Sequence, residues 1–340
     1  MQTLRVGIRT AAGLLACGLV AAGCSSGQDD GDTSSAGSKK TGEIEIALLQ
    51  KQADQQYFVD EADGARAKAK ELGDVTITVA DLGLDANQAV TELQTAVAQD
   101  VDGIIIVVPD QQIGPQVVDT ASQAGIPLVA ADDVIEDAGG AAAPFVGFNG
   151  TKMGEEVGKE AARLYEKAGW KAADTRIIAA YKQDLSVCTD RVEGSKSAFE
   201  AAGVDMPEII DVGTDNTPTG AQDKAGAVIT ANQGVTNWVV WGCNDENVSG
   251  VVTALQNAGV DPGSIIGIGL GGYLACKPWQ AGEESGMKAA LFIDGKAVGE
   301  SAVEVLVAHL RDGKDLPAET IAPTKMVDPS NWQEAGLKCT

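Results

Sequence analysis

From residue 43 onward the chain alternates short β-rich runs with stretches whose apolar residues recur at three- and four-residue spacing, and near residue 150 the alternation begins again. Residues 44–49, 75–80, 103–108, 127–131 and 145–148 read as strands, and 57–72, 86–99 and 113–124 between them read as one-sided helices. Strands this uniformly apolar need cover on both faces, so the pattern implies parallel sheets flanked by helices. The second series predicts helices over 153–168, 187–202, 220–232 and 248–258 and strands over 176–181, 209–212, 238–241, 265–270 and 288–293. The expected fold class is α/β, with two doubly wound parallel-sheet domains in succession. A helix at 299–311 and a run at 320–327 supply too few elements for a third domain and are expected to pack back on the first two. The boundary at 149–151 is short, as a hinge requires when a few residues absorb the rotation of domain closure.

The N-terminal end obeys different rules. Arg5 and Arg9 precede an apolar run at 11–22 that stops at Ala21-Ala22-Gly23-Cys24. A basic start, a short apolar middle and small residues at the cut make residues 1–23 an export signal, and the run is too short for a stable membrane span. The segment resembles the signals of bacterial lipoproteins, which implies that Cys24 is diacylated and that the protein is held at the outer face of the cell membrane. Two acyl chains, at about 0.8 kcal/mol per buried methylene, anchor where one would be marginal. Residues 24–42 are expected to form a disordered tether, because between Ser25 and Lys40 the only apolar residue is Ala36.

Composition excludes several functions. Lys plus Arg number 25 against 49 Asp plus Glu, a formal net charge of -24 spread along the chain, and such a surface repels phosphate backbones, so no nucleic acid is expected as partner. Cys17 leaves with the signal, so Cys188, Cys243, Cys276 and Cys339 remain to form disulfides, with three connectivities open. No C-x-x-C pair accompanies them and His309 is the only His, so no metal site is expected. His309 lies in a helical run away from the strand ends and suits a packed or surface role, which leaves no nucleophile–base pair and points away from an enzyme. Gly267-x-Gly269-x-Gly271-Gly272 follows a strand but lacks the helix-opening third glycine of a dinucleotide loop and any following Walker-type lysine, so no cofactor is expected.

Open α/β sheets bind ligands at the carboxyl ends of their strands. Those positions carry Lys51, Gln55, Tyr57 and Phe58 after the first strand, Asp132-Asp133 after the fourth and Phe148-Asn149 after the fifth. In the second unit they carry Asp184 and Arg191, then Cys243-Asn244-Asp245. Rings interleaved with carboxylates, amides and a guanidinium suit a polyhydroxylated ring compound, because the rings cover apolar C–H faces while the planar groups bond adjacent hydroxyls. Each residue has a plainer reading as well: Asp132-Asp133 as a turn cap, Tyr57 and Phe58 as first-turn core contacts, Asn244-Asp245 as a helix N-cap.

Taken together, Lys51-Gln52 with Tyr57-Phe58, Asp132-Asp133, Thr151-Lys152-Met153-Gly154-Glu155, Arg191 before Gly194-Ser195, Gly242-Cys243-Asn244-Asp245 and Ile265-Ile266-Gly267-Ile268-Gly269 resemble the periplasmic sugar-binding proteins of ABC importers, most closely the arabinose-binding members. The resemblance covers residues 43–340 and implies the type I periplasmic-binding-protein fold: an N-terminal lobe of 43–149 plus about 294–321, a C-terminal lobe of 150–293 plus about 322–340, and three crossing segments between them. It further implies a monosaccharide clasped between the lobes, L-arabinose or a related pentose or hexose, delivered to an ABC transporter permease without chemistry. A lipid-held binder could instead present its closed form to a membrane receptor, and a tethered shuttle works most simply as a monomer. By position, Lys51 and Asp133 would bond the ring oxygen and anomeric region, Arg191 the ring oxygen and a neighbouring hydroxyl, and Asn244 further hydroxyls. Tyr57 stands where the family has Trp, Gln55 where the arabinose-binding members have Glu, and Phe148 and Cys243 where they have Met. They carry Asn, and Asp three residues later, where this chain has Gly271 and Leu274, so two polar contacts are absent or supplied by Tyr273 or water, and the sugar is open to change.

Overall fold

A computed structural model describes residues 40–340. The expected export signal, the lipidation site at Cys24 and the tether as far as residue 39 lie outside the described residues. Lys40, inside the stretch read as tether, is already held: its N–H donates to the Leu310 carbonyl at 2.9 Å and its ammonium pairs with Asp102. Among the described residues no helix is long and apolar enough to cross a membrane.

The first series of elements runs β1 (Ile44–Gln50), α1 (Gln56–Leu72), β2 (Val75–Asp81), α2 (Ala86–Ala98), β3 (Gly103–Ile106), α3 (Gly114–Ala124), β4 (Leu128–Ala131) and β5 (Phe145–Gly147). The second runs α4 (Gly150–Ala168), β6 (Thr175–Tyr181), α5 (Ser186–Ala201), β7 (Glu208–Gly213), α6 (Pro218–Ala231), β8 (Asn237–Gly242), α7 (Asp245–Asn257), β9 (Ile265–Gly271), α8 (Cys276–Ala281) and β10 (Met287–Ile293). Then come α9 (Gly295–Asp312), β11 (Glu319–Ile321) and β12 (Thr324–Val327). β3, β4 and β9 are buried along their whole length, as strands covered on both faces must be, whereas β2, at a sheet edge, alternates half-buried with exposed residues.

Two six-stranded sheets result, in the orders β11-β5-β4-β3-β1-β2 and β12-β10-β9-β8-β6-β7. All neighbours are parallel except β12, which runs antiparallel to β10. The chain therefore passes between sheets three times: from β5 into α4, from β10 into α9, and from β11 to β12. Two of these passages are helix starts, capped by Asn149, whose Oδ1 accepts from Lys152 N at 2.9 Å, and by Asp294, whose Oδ1 accepts from Lys296 N at 3.1 Å.

The run read as one element at 320–327 is in fact two strands in different sheets. Pro323 separates them; it has no N–H to give a ladder, so pairing stops there and the chain changes sheet. The short helix α8 went unread because one and a half turns carry no periodicity.

Matched helix pairs stiffen the two lobes, α1 against α9 in one and α4 against α5 in the other. Close approach is built in by glycine: a Cβ on Gly154 of α4 would run into the Arg191 carbonyl of α5, and one on Gly158 into that of Ser195. The run Thr151-Lys152-Met153-Gly154-Glu155 thus fixes the helix that carries Arg191.

Candidate functional site

A cavity of about 570 Å³ opens at the carboxyl ends of the strands of both sheets, and its wall holds Lys51, Gln55, Tyr57, Phe58, Asp132, Asp133, Phe148, Arg191, Cys243, Asn244 and Tyr273, whereas Asn149 and Asp184, also read at strand ends, lie outside it. The volume is that of a small-molecule site.

The first wall grows from β1, α1 and β4. Lys51 Nζ donates to Asp133 Oδ2 at 2.8 Å, and both side chains are nearly out of solvent, 11% and 5% exposed. Asp132 takes the left-handed region at φ 58°, which Asp tolerates better than most residues, and this turns its carboxyl toward Tyr57, whose hydroxyl donates to Oδ1 at 2.5 Å. The second oxygen of Asp132 is buried with no protein partner. Burial pushes the Asp132 carboxyl up to about 7 from an ordinary 3.8; the Tyr57 bond opposes the rise and the neighbouring Asp133 adds to it. Glu61 lies beneath in α1, wholly buried and without a partner for either oxygen, and burial first, then Asp132 and Asp133, holds its carboxyl well above the usual range. The rings gather beside this cluster: Tyr57 meets Phe58 edge-on at 5.1 Å between centroids and stands 6.4 Å from both Phe148 and Tyr273. Gln55 precedes α1 and its main-chain oxygen accepts from Phe58 N at 3.1 Å.

The second wall grows from α5, β8 and α7. Arg191 Nη1 donates to the Cys243 main-chain oxygen at 2.9 Å, while Nε is buried without a partner. Burial draws its pKa down, against the pull of Asp133 and Asp132 across the cavity. The cysteine pairing left open by sequence is Cys188–Cys243 and Cys276–Cys339, so Cys243 meets the cavity as a disulfide and not as a thiol. The plainer reading of Asn244 also holds: its Oδ1 caps α7, accepting from Asn247 N at 3.0 Å, and its Nδ2 donates to the Asn216 carbonyl at 3.3 Å. Asp245 is structural, its Oδ2 accepting from Leu274 N at 2.9 Å and Ala275 N at 3.0 Å, which holds the loop after β9 in place. Gly271 opens that loop at φ 125°, and Tyr273 points its hydroxyl at the Ile293 carbonyl, 3.4 Å away beside a crossing segment. Gly267 and Gly269 are buried within β9, packed against Val252 and Asp245, and form no phosphate cradle.

Some wall residues escaped the sequence reading. Glu246 follows Asn244-Asp245 in the first turn of α7, and its carboxyl is pushed up to about 7, chiefly by burial and then by Asp245. Asn216 lies after β7, a strand end that the same rule would have flagged; Gln111, after β3, stands just outside the wall, next to Asp110, which is in it. Gln111 joins the two walls at the rim: its Oε1 accepts from Ser186 Oγ and, at 3.3 Å, from Val187 N, while its Nε2 donates to the Val134 carbonyl at 3.0 Å. His309 is remote from the cavity, its Nδ1 2.8 Å from the Lys314 carbonyl oxygen. Among the described residues no group of three or more His, Cys, Asp or Glu is placed to hold a metal ion.

Known proteins share this architecture. The chain is 27% identical over 296 residues to the ABC transporter L-arabinose-binding periplasmic protein of Azospirillum brasilense, covering 85% of this chain and 88% of that one. It is also 27% identical to the L-arabinose-binding periplasmic protein of Escherichia coli K12, covering 86% and 89%. A D-allose-bound ABC transporter solute-binding protein from Actinobacillus succinogenes superposes with a TM-score of 0.73 at 25% identity, covering 86% of this chain and all 100% of that one. A protein of the same class from Agrobacterium vitis, bound to α-D-tagatopyranose, superposes at 0.74 with 21% identity, a likeness of fold. The profile of the periplasmic binding protein domain matches residues 46–315, and the chain belongs to that family.

Proposed function

We propose that this chain is a lipid-anchored, extracytoplasmic solute-binding protein that captures a neutral monosaccharide, L-arabinose or a related pentose or hexose, by closing its two lobes, and hands it unchanged to an ABC permease. The observation that carries this reading is the composition of the cavity. Carboxylates, a guanidinium and amides face it from both lobes, aromatic rings lie between them, and Asp132 Oδ2 and Arg191 Nε remain buried without protein partners. Buried polar atoms require hydrogen-bond partners, and a sugar's hydroxyls both donate and accept. Carboxyl groups outnumber the cations Lys51, Lys182, Arg191 and Lys277 in the walls, which disfavours an anionic ligand.

In this reading Lys51 and Asp133 hold the sugar from one lobe and Arg191 from the other, with the Tyr57, Phe58 and Phe148 rings on its C–H faces. Asn244 contributes through its Nδ2, since its oxygen is engaged by the α7 cap. A ligand that touches both walls favours the closed state by its differential contacts alone. Gly271 and Leu274 offer no polar side chain, so the hydroxyls nearest the loop after β9 have only Tyr273, backbone or water to bond, and a sugar lacking a hydroxyl there loses least.

The reading is checked by thermal unfolding of the protein with L-arabinose, D-galactose, D-fucose, D-xylose, D-ribose and D-glucose in turn. A sugar at a hundred times its Kd adds about 2.7 kcal/mol, a rise of a few degrees. A rise with at least one of them is expected, and no rise with any would point to another ligand class.

A further inference from the structure

The Cys188–Cys243 disulfide stands in the cavity wall, and both of its cysteines bear on Arg191. Cys188 precedes Arg191 by three residues on α5, so the two side chains lie on the same side of that helix. Cys243 supplies the carbonyl that accepts from Arg191 Nη1 at 2.9 Å, and Nη1 also lies 3.9 Å from its Sγ. With the Cα atoms of the two cysteines 4.7 Å apart, one covalent unit holds both the start of the helix that carries the arginine and the carbonyl that receives its head.

The guanidinium needs such a hold. No carboxylate among the described residues lies within ion-pair distance of Arg191, and its Nε is buried without a partner. A cation partly withdrawn from water without a direct counter-ion gains by swinging out, unless its surroundings fix it. Asn216 extends the frame, its Nδ2 donating to Cys188 Sγ at 3.3 Å while its Oδ1 accepts from Asn247 Nδ2 at 2.7 Å and Lys182 N at 3.1 Å. The loops after β6, β7 and β8 are thereby tied to one disulfide. Cys276–Cys339 has a different task, fastening the C-terminal tail to α8.

We infer that the Cys188–Cys243 disulfide is a positioning element of the ligand site, holding the Arg191 guanidinium in the cavity wall before ligand arrives. The inference rests on the cavity being the sugar site proposed above. A group ordered in advance costs nothing to order on binding, so the disulfide raises affinity through the arginine it holds.

The test compares wild type, Cys188→Ala/Cys243→Ala, Arg191→Ala and the triple variant in the full chain, with L-arabinose as first probe and the five other sugars after it. Loss of the disulfide is expected to raise Kd about tenfold or more, and the triple variant to bind no worse than Arg191→Ala alone, because the disulfide acts through the arginine. Wild-type affinity in the double variant, or losses that simply add, would overturn the inference. A second readout needs no ligand: the Arg191 side-chain N–H signal in ¹⁵N NMR, assigned by its absence in Arg191→Ala. It is expected to exchange with solvent at least about tenfold faster without the disulfide, while backbone amides of β1 and β3 keep their protection. Cys188→Val/Cys243→Ala, which refills the volume of the lost sulfurs, is measured in parallel to guard against a misfolded alanine pair. An unchanged Arg191 signal in a folded variant would contradict the inference. Failure of all six sugars to bind wild type would instead remove the sugar reading and leave the exchange measurement to decide the role of the disulfide.

Discussion

The two walls of the cavity are built on opposite plans. In the wall from β1, α1 and β4, polar side chains pair with one another, Lys51 with Asp133 and Tyr57 with Asp132, above the buried acid Glu61, while Asp132 Oδ2 and both Glu61 oxygens have no protein partner. In the wall from α5, β8 and α7, a single cation rests on a backbone carbonyl, and the surroundings are fixed by a disulfide, by the Asn216–Asn244–Asn247 amides and by main-chain N–H groups bonded to Asp245. The first wall holds its shape by paired side chains, so it should answer to loss of a partner. The second holds its shape by covalent and backbone contacts, so its cation can be removed while the frame stands.

The sharpest break in that contrast is Asp133→Ala. It leaves the Lys51 ammonium, 11% exposed, without its carboxylate, and removing one partner of a buried ion pair destabilises by about 3–5 kcal/mol. Urea unfolding of the unliganded protein is expected to show that loss. Arg191→Ala is expected to do the reverse, keeping the unfolding midpoint near wild type while binding weakens by about 2–4 kcal/mol, the scale of an arginine hot spot, or about thirtyfold or more in Kd.

A smaller effect follows from protons. Asp132, raised from 3.8 to about 7, and Glu246, raised from 4.5 to about 7, bind protons more tightly folded than unfolded. Their contribution to stability is therefore complete below their ordinary values and is lost as pH rises through about 7. The unliganded protein should melt a few degrees higher near pH 5 than near pH 8, and Asp132→Asn should flatten that slope. The smallest effect belongs to the rim. Gln111→Ala removes the bonds between the walls at Ser186 and Val187, partly exposed contacts worth about 0.5–1.5 kcal/mol together, and should raise Kd about two- to tenfold, mainly through faster release in stopped-flow measurements.

The elements were legible wherever burial is two-sided. Ile104, Ile105 and Ile106 of β3 are all fully buried, and a run of that kind has few places to go but the middle of a parallel sheet. The cavity-wall residues were legible because strand ends concentrate polar groups, and the structure gathers Lys51, Asp133 and Arg191 around one cavity although 82 residues separate the first two. What periodicity cannot carry is the relation between elements. The disulfides join residues 55 and 63 apart, pairings set by how α5 meets β8 and how the tail meets α8. Gln111 reaches its partners only because the lobes face each other, and its own surroundings in sequence say nothing of Ser186. Asn244 shows that two readings of a residue need not compete, since one side chain caps α7 and lines the cavity.

In the proposed function one neutral sugar is held between a charge-paired wall and a fixed cationic wall. Isothermal titration of the wild-type protein and of Arg191→Ala with the same six sugars tests it most directly. One-to-one binding of at least one sugar to wild type is expected, weakened by about thirtyfold or more in the variant. Binding of equal strength in the two proteins, or no heat from any neutral sugar, would contradict it.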